Sequence, residues 1–87
     1  MAKYKITFKK SVSKDLRSIP NQDVDRILKR IDKLADDPRA DGCIKLSGHE
    51  NYRVRLGLYR VIYEIRDDVL VVNIVKVGRR SSVYKSN

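Results

Sequence analysis

The chain has 87 residues, long enough for one domain with a modest core and too short for two. Its 41% hydrophobic content, arranged in regular runs, excludes a disordered polyelectrolyte despite 36% charged residues. Twenty Lys and Arg against eleven Asp and Glu give a formal charge of +9, which points to nucleic acid, an acidic protein or an anionic surface as partner.

Lys3–Phe8 alternates, with Tyr4, Ile6 and Phe8 on one side, and predicts a short half-buried strand. Ser11 or Ser13 offers a cap for a helix whose apolar face is Val12, Leu16 and Ile19. Pro20 ends that helix and opens the next, where Val24, Ile27, Leu28, Ile31 and Leu34 form one apolar stripe. Asp23 and Asp25 lie early in it and Lys29, Arg30 and Lys33 late, as the helix dipole favours; Asp36-Asp37-Pro38 ends it. Arg39–Asn51 is a polar connection with a short extended piece at Cys43–Leu46. Strands follow at Tyr52–Leu56, Tyr59–Ile65 and Val69–Val77, with Asp67-Asp68 as the turn before the last and Gly78 as its end. Val69–Val77 is apolar on both faces except at Asn73 and Lys76, the pattern of a central strand.

The order is that of a single α+β domain over residues 1–87: an N-terminal strand, a helical hairpin, then a three-stranded antiparallel meander, with the helices on one sheet face. The other face is left for function. Arg53 and Arg55 alternate with Val54 and Leu56 and so project from one face. With Gly57-Leu58 as a two-residue hairpin turn, Arg55 falls opposite Arg60. Like charges so opposed are destabilising, which suggests that the pair holds an anion, RNA phosphate above all. Tyr52, Tyr59 and Tyr63 are expected to pack rather than react.

A lone Cys43 excludes an internal disulfide and fits a reducing cytoplasm; with the lone His49 it supplies too few ligands for a metal. Met1–Lys10 lacks the apolar centre of a signal peptide, and no apolar run is long enough to cross a bilayer. A cytoplasmic protein without membrane association is expected.

Tyr52-Arg53-Val54-Arg55-Leu56, Tyr59-Arg60-Val61-Ile62-Tyr63 and Val77-Gly78-Arg79-Arg80, taken in order with Lys45-Leu46-Ser47-Gly48 before them, resemble the RelE branch of the RelE/ParE toxin superfamily. The resemblance covers nearly the whole chain. It implies a toxin of a type II toxin–antitoxin system, an endoribonuclease that cuts mRNA in the ribosomal A site and inhibits translation. The reaction implied is attack of the 2′-hydroxyl on the adjacent phosphate, with no metal and no cofactor. Arg60 and Arg80 match the family's phosphate-stabilising arginines, and guanidinium forks suit that task because they bind phosphate oxygens in pairs and keep their charge. Tyr84 matches the late tyrosine used for acid–base work or base stacking, though it stands nearer its arginine here. Arg53 and Arg55 occupy positions where family members carry lysine. An arginine does not serve as a base, so these two are expected to bind phosphate or polarise the 2′-hydroxyl. The base is left open among Tyr84, Glu50, His49 and positioning by the ribosome. Arg79, Lys45, Lys9 and Lys10 are expected RNA contacts, and a cognate acidic antitoxin is the implied protein partner. Two alternatives share the fold or the charge: a ParE-like inhibitor of DNA gyrase, and a basic RNA-binding module without chemistry.

Overall fold

The first strand of the computed structural model, β1, spans Lys5–Phe8, and the structure describes residues 3–40, 42–46 and 51–79. Helix α1 follows at Lys10–Arg17 and α2 at Asn21–Asp36, with Pro20 as the N-cap of α2. β2 is Cys43–Lys45, β3 Asn51–Leu56, β4 Tyr59–Arg66 and β5 Val71–Arg79. They form one five-stranded sheet in the order β1-β5-β4-β3-β2, antiparallel except that β1 runs parallel to β5. The short piece expected at Cys43–Leu46 is thus a true edge strand, and β5 is central as its composition requires.

Both helices cover one sheet face. Val12 and Ile19, with Ile27, Ile31 and Leu34 of α2, are buried in a single cluster with Val54, Tyr59, Val61, Tyr63, Val72, Ile74 and Val77. The register of β4 against β5 slips between Ile62 and Tyr63, which pair with Lys76 and Ile74, so Val75 is the extra residue of a bulge. The bulge lets Ile74 and Val77, three residues apart, both face the helices. It also puts Asn73 and Lys76 together on the open face, beside Glu64 and Ile62.

Three local expectations change. Neither Ser11 nor Ser13 caps α1: its N-cap is Lys9, and the Ser13 hydroxyl donates back to the Lys10 carbonyl. β5 begins at Val71 rather than Val69, because Leu70 has φ +55 and closes the turn that opens at Asp67. The Leu70 carbonyl then accepts the Lys5 N–H at 2.8 Å, which starts the β1–β5 pairing. Gly78 lies inside β5, not at its end.

A hydrogen-bonded clamp fixes the end of the sheet at the Asp67 turn. Arg39 donates to both carboxylate oxygens of Asp67, at 3.2 and 2.7 Å, and to the Tyr52 hydroxyl at 3.2 Å. The Tyr4 hydroxyl donates to the same carboxylate at 2.6 Å. The Tyr52 ring stacks on Tyr63, whose buried hydroxyl donates to the Pro38 carbonyl at 2.7 Å. β1, β3, β4 and the segment after α2 are tied by these five side chains.

Candidate nucleic-acid interface

The β3–β4 hairpin turns through Gly57 and Leu58, with φ +59 at Gly57. A side chain there would meet nothing within 4 Å, so the backbone angle and not space calls for glycine. The tight turn sets the register, and Arg55 pairs with Arg60. Since β4 is also paired with β5, Arg60 lies between Arg55 on one side and Gly78 on the other. Gly78 brings no side chain to the row, and the long Arg60 side chain is 1% exposed while Arg55 stands in solvent. Two residue pairs further along, Arg53 is half-buried and opposite Ile62, which in turn pairs with Lys76.

The open face therefore carries two rows at this end. One is Arg55, Arg60 and Gly78; the other is Ile44, Arg53, Ile62 and Lys76. Guanidinium groups stay charged in any such setting. Charges crowded at strand spacing, one of them out of water, raise a positive potential that an incoming anion relieves. Planar forks offer paired donors to phosphate oxygens.

Lys76 and Gly78 were not singled out as site residues in the sequence. Their parity on the face depends on the Val75 bulge, which leaves only the glycine itself as a signal.

Other expected residues are placed elsewhere. Arg80 and Tyr84 lie outside the described residues, as do His49 and Glu50. Lys45 pairs with Tyr52 and so belongs to the face opposite the arginines, on the edge strand. Lys9 and Lys10 stand at the start of α1 in the helix layer, with no acidic residue in that helix's first turn. Cations at a helix N-terminus oppose its dipole, so helix stability does not explain them. Arg79 pairs with Tyr59, again on the helix side. The Tyr59 hydroxyl donates to Asp23 at 2.8 Å. That bond, with burial, raises the Tyr59 pKa, while the nearby Arg79 guanidinium pulls it down. Tyr59 and Tyr63 are buried and Tyr52 is stacked, so all three pack as expected.

Fold and face together define a small basic α+β domain with arginines clustered at one end of the sheet face opposite its helices. The ParE toxin family of type II toxin–antitoxin systems (parDE) matches residues 6–84. A protein of Methanocaldococcus jannaschii, described as a candidate toxin RelE1, is 31% identical over 97% of this chain and 98% of its own. The RelE–RelB complex of Pyrococcus horikoshii superposes with a TM-score of 0.79 at 36% identity, covering 90% of this chain and 96% of that one. The RelBE2 toxin–antitoxin complex of Mycobacterium tuberculosis shares the fold with a TM-score of 0.83 at 24% identity, over 93% and 95% of the two chains. The chain belongs to the RelE/ParE superfamily of type II toxins, in its RelE-like branch.

Proposed function

We propose that this toxin is a ribosome-dependent endoribonuclease that cleaves mRNA in the A site. The observation that carries the reading is the Arg55–Arg60 pair, opposed across the hairpin and followed by Gly78 in the same row. Like charges so placed repel each other, whereas a phosphate in transit between two esters draws on both.

In this reading the 2′-hydroxyl attacks the adjacent phosphorus and its proton leaves to a base. The bond to the 5′-oxygen of the next nucleotide breaks, giving a cyclic phosphate and a 5′-hydroxyl. Arg60 and Arg55 hold the non-bridging oxygens as charge builds on them, and Arg53 lies one step along β3 to orient the ribose or a neighbouring phosphate. Arg80 and Tyr84 complete the set as a second phosphate cation and the acid or stacking group. Arg79, Lys45, Lys9 and Lys10 contact RNA away from the reacting atoms, the last two from the helix layer.

A cognate acidic antitoxin is the protein partner, as RelB is for the Pyrococcus RelE. Its carboxylates meet the +9 charge, and steering by that charge speeds capture.

Primer extension on a reporter mRNA after brief induction tests the reading. Cuts within codons are expected only while ribosomes translate. An uncut message in both conditions overturns it. Inhibited DNA supercoiling would then select gyrase poisoning, the reading that the ParE family match supports. RNA binding without either activity would select the non-catalytic module.

A further inference from the structure

The Val75 bulge decides what the open face shows beside the arginines. In a regular ladder Val75 would lie opposite Ile62, and Lys76 would turn toward the helices. With Val75 as the extra residue, Lys76 takes the place opposite Ile62 on the open face. Bulges re-aim side chains in this way, at the cost of a disturbed ladder. The side chain brought to the face here is a cation, and it is partly exposed.

The fold offers Lys76 an anion and gives that anion to others. Glu64 lies on the same face, one row further along, where it pairs with Asn73. Its carboxylate accepts from Asn73 at 3.1 Å and from Arg66 at 3.4 Å. Among the described residues, no carboxylate is paired with the Lys76 ammonium. A solvated surface lysine would look the same in isolation, but this one stands in register with a row of arginines.

The spacing of the rows identifies the ligand. Two residues along a strand rise about 6.5–7 Å, close to the step between successive phosphates of single-stranded RNA. When the phosphate that is cut lies in the Arg55–Arg60 row, the next one along the strand direction lies over Ile62. Arg53 on β3 and Lys76 on β5 flank that point, each about 5 Å to the side, a distance either side chain is long enough to cover. Glu64 closes the cationic run one row beyond, so the face has room for one flanking phosphate on this side.

We propose that Lys76, together with Arg53, holds the phosphate next to the one that is cut and so sets the register of the RNA on the sheet. The proposal rests on the nuclease reading above and deepens it: Lys76 binds the strand and takes no part in bond making.

Cleavage by the full chain on ribosomes programmed with synthetic mRNAs tests it. The mRNAs differ only in a neutral methylphosphonate, placed at one or the other phosphate flanking the cut. Lys76→Thr removes the charge and suits a strand, whereas Lys76→Arg keeps the charge. On unmodified mRNA, Lys76→Thr should need about fivefold more protein for half-saturation, with the effect on the rate at saturation under about twofold. At one flanking position the methylphosphonate should cost the parent and Lys76→Arg about the same factor, and cost Lys76→Thr nothing further. A merely structural lysine would not single out one phosphate. Unchanged half-saturation in Lys76→Thr, or a methylphosphonate penalty as large in Lys76→Thr as in the parent at both positions, overturns the role of Lys76 alone. A parent protein that leaves every mRNA uncut overturns the nuclease reading and this subsite with it.

Discussion

At one end of the sheet Arg39 is held by partners, while at the other Arg55 and Arg60 are set against each other. Arg39 has both oxygens of Asp67, the Tyr52 hydroxyl and the Tyr52 ring 5.6 Å away. Its charge is spent on joining four segments of the chain. Between the two ends, Thr7 donates to Asn73 at 2.9 Å, Asn73 to Glu64 at 3.1 Å, and Arg66 reaches the same carboxylate at 3.4 Å. Polar groups there answer one another. Across the ladder from Arg60, by contrast, the facing residue is another arginine. The same side chain is joined to an anion at one end of the sheet and set opposite a second cation in the ladder at the other.

Substitution of one side chain from each end would break this comparison most directly. Arg60→Ala should lower mRNA cleavage on the order of a hundredfold or more and abolish growth arrest, with the far-UV circular dichroism spectrum retained. A folded Arg60→Ala variant that still arrests growth fully removes Arg60 from the mechanism. At the clamped end the effect should fall on stability and leave activity alone. Tyr63→Phe deletes a fully buried hydroxyl and leaves the Pro38 carbonyl without its donor. The cost should be about 1–2 kcal/mol in a urea melt. Unchanged stability would mean that the clamp is decorative.

The clamp also has a pH signature. Arg39 and the Tyr4 hydroxyl together hold the Asp67 pKa down to about 2, below its ordinary 3.8. The folded state therefore binds this proton less readily than the unfolded chain. Asp67 contributes its full stabilisation above about pH 4, and that contribution is lost as pH falls toward 2. Asp67→Asn should melt lower than the parent at pH 7, with the gap closing between pH 4 and pH 2. A gap that stays constant with pH would show that the carboxylate charge does not matter to the clamp.

What was legible in the sequence follows from local rules. Alternation around Val54 and Leu56 puts Arg53 and Arg55 on one face, and a two-residue turn at Gly57-Leu58, once assumed, sets Arg55 opposite Arg60 as the pairing has it. Pro20 and Asp36-Asp37-Pro38 punctuate the helices for equally local reasons. The less legible features are those settled by distant parts of the chain. Leu70 takes a left-handed conformation that its residue type disfavours, held by the pairing of its carbonyl with Lys5, so apolar composition misplaces the start of β5. The Val75 bulge moves Lys76 and Gly78 onto the arginine face, and no periodicity announces it. Arg39 and Asp67 are 28 residues apart, and nothing in either neighbourhood names the other. Lys45 shows the same limit from the other side: its charge is plain in the sequence, but pairing with Tyr52 turns it from the site.

The smallest expected effect bears on the premise itself. If Arg55 and Arg60 are opposed for the sake of an anion, the free protein carries a cost that removal of one partner should return. Arg55→Thr keeps a residue suited to an exposed strand position and should raise stability by a few tenths to about 1 kcal/mol at low ionic strength. The gain should fade in 1 M salt, where the Debye length is about 3 Å and like charges no longer sense each other across the ladder. Cleavage should fall in the same variant, because what strains the free protein holds the phosphate. A salt-independent loss of stability would mean that Arg55 is held by the fold as firmly as Arg39 is. The difference between the two ends of the sheet would then be one of position and not of purpose.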